Sequence, residues 1–163
     1  MKSNKKERKS IRLKEYDYAK AGLYFVTICT KNRLNILSQI IQGSVKTDPY
    51  NKLNILGNIV ERELNNIPSH FKNVNIDKYV IMPNHIHVII EICNVGASLD
   101  SPKIVKLSNV VGLFKSGVSK NIGYSIWQRN YYEHIIRDEK EYNKICEYIE
   151  YNPLGWEADK FNC

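Results

Sequence analysis

The stretch YVIMPNHIHVIIEI, Tyr79 to Ile92, decides how this chain folds. Runs rich in Val and Ile flank Pro-Asn-His turn chemistry, which predicts two strands, Asn75–Met82 and His85–Ile92. Side chains alternate between the faces of a strand. His85, His87, Ile89 and Glu91 therefore share one face, and Ile86, Val88, Ile90 and Ile92 share the other. The aliphatic set belongs against helices, leaving the histidine face of the sheet open to a ligand. Two imidazoles separated by one residue can turn nitrogens toward a single cation, and neutral imidazole is a common ligand for Mn²⁺, Fe, Ni and Zn. The same spacing also suits histidines hydrogen-bonded within a sheet. A third ligand and a reacting group must come from elsewhere in the chain.

Working outward, LYFVTICTKN (Leu23–Asn32) is β-branched and aromatic and predicts a strand. Residues 38–51 mix a short apolar stretch with Gly, Asp and Pro, as a loop or small hairpin does. From Lys52 to Phe71, Leu53, Leu56, Val60, Leu64 and Ile67 recur at helical spacing, with Pro68 expected to mark the end. Asn94–Pro102 reads as a loop and Lys103–Asn121 as a second helix. Tyr131–Arg137 reads as a strand, and Asp138–Asn152 as a last helix that Pro153 stops. The order β–α–β–β–α–β–α contains the split βαβ pattern of ferredoxin-like folds. The fold class expected is α+β: an antiparallel sheet with helices packed on one face and the histidines on a central strand of the open face.

Length and composition fit one soluble domain. The chain has 163 residues, 43% hydrophobic and 25% charged, enough to bury a core. Residues 1–10, MKSNKKERKS, read as a basic mobile tail and residues 11–163 as the domain. That tail leads into no apolar segment, so no secretory signal is expected. No apolar run approaches the ~20 residues that cross a bilayer. Cys29, Cys93, Cys146 and Cys163 form no CxxC pair, so a disulfide framework or zinc knuckle is not expected and a reducing cytoplasm is the simpler setting. The charge of +7 fits a polyanion partner without requiring one.

In the last helix, Tyr142, Ile145 and Ile149 form the core-facing stripe, and Tyr148 and Asn152 stack one turn apart. A phenol can form a covalent phosphodiester intermediate, and a carboxamide oxygen is a hard metal ligand. Tyr148 is also one of 11 tyrosines, and the helix alone does not distinguish a nucleophile from a packing residue.

Together these residues resemble a family. HIH within VIMPNHIHVIIEI resembles the histidine–hydrophobe–histidine (HUH) motif of single-strand DNA transposases with one catalytic tyrosine. WQRNYYEHIIRDEKEYNKICEYIEYNP (Trp127–Pro153) resembles the C-terminal signature of the REP-associated tyrosine transposases and their insertion-sequence relatives, and RLKEYDYAKAGLYFVTICTKN (Arg12–Asn32) resembles their start. The resemblance runs from Arg12 to Trp156. It implies that His85 and His87 bind a metal, that Tyr148 is the nucleophile and that Asn152 is a third, amide ligand. Tyr151 does not fit the spacing. It further implies a Mg²⁺ or Mn²⁺ cofactor, single-stranded or hairpin DNA as substrate, and cleavage and rejoining through a 5′-phosphotyrosine. Some relatives are dimers that exchange the tyrosine helix and others are monomers, so a homodimer stays open.

Basic side chains beside aromatics suit a single strand, since bases stack on rings while Lys and Arg track phosphates. Lys115, Lys120, Arg129, Tyr132 and Arg137 are the candidates, and strand alternation should bury either Tyr131 or Tyr132. His134 serves structurally or near the site, and His70 ends a helix. Two other functions fit less of the chain. A non-catalytic ferredoxin-like nucleic-acid binder would present aromatics, rather than histidines, on the open face. An HUH replication or conjugation nickase would be expected to carry an appended helicase.

Overall fold

The computed structural model describes residues 21–43, 50–93 and 105–160. The basic tail, the start of the family-like opening, the whole Asn94–Pro102 loop and Lys103 lie outside the described residues. Strands β1 (Gly22–Cys29), β4 (Val74–Ile81), β5 (His85–Ile92) and β6 (Tyr132–Ile136) form an antiparallel sheet in the order β4-β5-β1-β6. With α1 (Ile55–Asn65) and α3 (Leu107–Ile122) as the crossovers, this is the ferredoxin-like arrangement, and the histidine strand is central as expected. A separate two-stranded sheet pairs β2 (Ser38–Ile41) with β3 (Tyr50–Leu53).

The Lys52–Phe71 helix is shorter than its periodicity suggested. Lys52 and Leu53 belong to β3, because the Asn54 side chain accepts a hydrogen bond from Gly57 N at 3.0 Å and starts α1 there. A brief α2 (Ile67–His70) follows Asn66. Pro68 sits in its first turn, where the missing N–H has no partner to lose, rather than at the helix end. His70 does close a helix. Helix α3 ends at Gly123, whose φ of +91° lets its N–H reach Ser119 O at 2.9 Å.

One sheet face packs Tyr24, Val26, Ile86, Val88 and Ile90 against Val60 and Leu64 of α1 and Val110, Phe114 and Val118 of α3. The other face, expected to be open, is partly covered by the last helix, α4 (Glu139–Tyr151). Ile149 packs there on Ile89 and Ile136, with Tyr142 and Ile145 beside it, so the predicted stripe faces the sheet. A bulge in β4 between Ile76 and Tyr79 helps to dock the helix. Its Asp77 accepts a hydrogen bond from Tyr142 Oη at 2.7 Å, and its Lys78 meets Glu150 at 3.1 Å. At the helix start, Asp138 accepts from Glu141 N, and Glu141 in turn accepts from Arg137 N, each at 2.8 Å. Among the described residues no helix is long and apolar enough to cross a membrane.

Candidate active site

Docking α4 on the histidine face brings the distant candidates together. His85, His87, Thr27 and Cys29 form a patch where β5 pairs with β1, with Thr27 opposite His87 and Cys29 opposite His85. Both histidines are buried, at 0% and 1% exposure, although their face was expected to be open. Their ring centroids are 4.5 Å apart. Tyr148 lies above them, its Oη 3.2 Å from His87 Nε2 in the same chain. Phe25 stacks on the His87 ring at 5.2 Å and meets the Tyr148 ring edge-on at 6.1 Å, holding the phenol over the imidazole.

Each histidine is oriented from behind. His85 Nδ1 lies 2.8 Å from Asn84 Oδ1, an oxygen that only accepts, so Nδ1 carries the proton and Nε2 presents a lone pair. Asn84 is fixed in turn, donating through Nδ2 to Arg33 O at 3.3 Å. His87 Nδ1 lies 2.8 Å from Thr27 Oγ1. Burial holds His85 at about 4, opposed by the Asp159 carboxylate and reinforced by Arg33 and Lys160. Burial also holds His87 well below the ordinary 6.5, with His85 adding to the effect. Both imidazoles are therefore neutral at pH 7, as metal ligands must be.

Asn152 caps α4 and is 5% exposed; its Oδ1 is buried and has no hydrogen-bond partner among the described residues. Burial and Asp159 raise the Tyr148 pKa, while a hydrogen bond from the Asn152 side chain lowers it. His87, Tyr148, Asn152 and Asp159 line one cavity of about 570 Å³. Asp159 is the residue sequence reasoning missed. Its Oδ2 lies 4.0 Å from His85 Nε2, and ligand atoms of His85, His87 and Asp159 all fall within 4.8 Å of one another. No spacing rule marks Asp159: it reaches the site only because the chain turns back after α4 through a short 3-10 turn, Trp156–Ala158. Two imidazole nitrogens with amide and carboxylate oxygens form a mixed N/O donor set that fits a divalent ion.

The expected DNA contacts divide. Lys120, Arg129, Tyr132 and Arg137 are exposed. Lys115 is occupied within the fold, donating to the carbonyls of Gln128 at 2.9 Å, Arg129 at 3.3 Å and Asn130 at 3.1 Å. Burial lowers its pKa to about 8. Of the two tyrosines, Tyr131 packs against the core and Tyr132 stands on the histidine face, opposite Thr27. His134 shares that face and pairs with Glu141 at 2.6 Å, while Tyr151 lines the cavity rim.

A central histidine strand thus lies under a helical tyrosine on a ferredoxin-like sheet. No protein-family model matches the chain. It is 44% identical to an uncharacterized protein of Haemophilus influenzae over 94% of this chain and 92% of that one. It is 29% identical to the REP-associated tyrosine transposase of Escherichia coli K12 over 85% of this chain and 72% of that one. A solved REP-associated tyrosine transposase bound to a REP hairpin has the same fold, at a TM-score of 0.61 and 21% identity, over 88% of this chain and 73% of that one. The chain is thus similar in sequence to proteins named REP-associated tyrosine transposases and shares their fold.

Proposed function

We propose that this protein cleaves and rejoins single-stranded DNA through a covalent bond between Tyr148 and the 5′ phosphate, as an HUH transposase. The observation that carries the reading is the 3.2 Å contact between Tyr148 Oη and His87 Nε2. It lies within one chain, which supports a site assembled without exchange of α4. His85, His87 and Asn152 would hold a Mg²⁺ or Mn²⁺ ion, with Asp159 in reach of the same centre. When bound, such an ion supplies charge that polarises the scissile phosphate and offsets charge on the leaving oxygen.

The chain's own groups do the rest. Phe25 and His87 position the Tyr148 ring, and the Asn152 amide favours phenolate character against the burial that resists it. Tyr148 Oη bonds to phosphorus as the bond to the 3′ oxygen breaks. Tyr148 loses a proton and the departing oxygen gains one, so the exchange is neutral. Because the new bond is also a phosphodiester, a 3′-hydroxyl of another end can reverse the step and join strands. Lys120, Arg129, Tyr132 and Arg137 are exposed side chains suited to the DNA backbone and bases.

The test is covalent capture. Protein is incubated with a single-stranded hairpin oligonucleotide and Mg²⁺ or Mn²⁺, then run under denaturing conditions. Wild type should give a protein–DNA adduct, and Tyr148→Phe none while binding DNA within about twofold. A Phe variant that cleaves as well as wild type removes the tyrosine from the mechanism. Salt-dependent binding without an adduct or a metal requirement would instead favour the non-catalytic binder.

A further inference from the structure

A second cavity, of about 370 Å³, adjoins the first. Phe25, Thr27 and Lys160 line both, and Arg33, Tyr132, Glu133 and His134 line only the second. Register places the two spaces side by side. His87 pairs with Thr27, and Thr27 with Tyr132, so the three residues form one row across β5, β1 and β6 on one face. With strands ~4.8 Å apart, Tyr132 stands roughly 10 Å from His87 along that row. That is the reach of one nucleotide from a phosphate held at Tyr148.

The walls have the chemistry of a nucleotide site. Tyr132 is 48% exposed on the same sheet face as Thr27 and His87, so its ring is open to a stacking partner. Arg33 and Lys160 bring positive charge to the same space, and Arg33 Nη1 donates to Lys160 O at 3.1 Å. The backbone that delivers Arg33 is strained. Asn32 and Arg33 have φ of +55° and +53°, a region that non-glycine residues adopt at a cost. Two hydrogen bonds hold them there: Arg33 N donates to Thr30 O at 3.1 Å, and Arg33 O accepts from Asn84, the residue that orients His85. One strained turn therefore sets the His85 imidazole on one side and the Arg33 guanidinium on the other.

We propose that this second cavity binds the nucleotide next to the scissile phosphate, its base stacked on Tyr132 and its phosphate met by Arg33 and Lys160. The inference rests on the proposed DNA chemistry and gives it a subsite beside Tyr148.

The test uses Tyr148→Phe protein, so that binding is read without cleavage. A hairpin oligonucleotide with a single-stranded flank is enriched on that protein from a randomised library, and 2-aminopurine is placed at each flank position in turn. One position should be quenched on binding. Adding Tyr132→Ala should relieve the quench and weaken binding about tenfold, whereas Tyr132→Phe should preserve both. An abasic residue at the quenched position should remove most of the Tyr132→Ala penalty. Arg33→Gln should lower the slope of log affinity against log salt by about one. If Tyr132→Ala weakens intact and abasic oligonucleotides equally, or changes no flank position, the subsite is refuted while the proposed chemistry stands. If no single-stranded oligonucleotide binds at all, the proposed function itself fails.

Discussion

The buried histidine pair makes folding of the metal-free protein sensitive to acid. His85 is completely buried, and burial lowers its pKa from 6.5 to about 4. Between those values the unfolded chain binds a proton that the folded chain refuses, so stability falls as pH falls. Above pH 6.5 the contribution is fully present, and below about pH 4 it is gone. At about 1.4 kcal/mol per pKa unit, the drop from 6.5 to about 4 corresponds to about 3 kcal/mol from His85 alone. For a chain of this length, that lowers Tm by roughly 6–12 °C. His87, also depressed by burial, acts in the same direction. The measurement is thermal or urea unfolding in a chelator from pH 7.5 to 4, for wild type and for His85→Gln. Carboxylates titrate over part of this range in both proteins, so the difference between the two curves isolates the imidazole. The variant should lose several degrees less than wild type on acidification. Parallel curves for the two proteins would show that His85 is accessible to protons in the folded state, and the buried geometry of the site would be wrong.

Three further outcomes follow from particular contacts. Asn84→Ala removes the acceptor that holds His85 Nδ1–H and should weaken Mn²⁺ binding about 10–100-fold by calorimetry, with little change in DNA affinity. Ile149→Ala, at a side chain 2% exposed between α4 and the sheet, should cost about 2–5 kcal/mol in urea unfolding and reduce adduct formation by loosening Tyr148. Lys115→Met leaves the carbonyls of residues 128–130 without their donor and should cost about 1–3 kcal/mol of stability. The same variant should leave the salt dependence of DNA binding unchanged, and a slope reduced by about one would restore Lys115 to the DNA contacts.

Most of the secondary structure was legible because its signals are local. Alternation in YVIMPNHIHVIIEI reproduced β5 to the residue, and Asp138 and Glu141 marked the start of α4 through their own backbone hydrogen bonds. The errors came where local signals compete. Leu53 continues the apolar period of α1, yet the Asn54 cap starts the helix only after it and β2 recruits it as a strand residue. Lys115 was expected among the DNA contacts, but three carbonyls from a loop 13–15 residues away surround it.

By itself the sequence determined which face of which element the histidines and the tyrosine occupy, because strand and helix periods follow from backbone geometry. Tertiary structure alone decided that α4 lies across the histidine face rather than beside it, bringing Tyr148 to His87, and that the returning chain delivers Asp159 to the same cavity. Those contacts span 61 and 74 residues respectively, for His87 to Tyr148 and His85 to Asp159. They depend on an apolar fit between Ile149 and the sheet and on a bulge in β4, neither of which a period along the chain encodes.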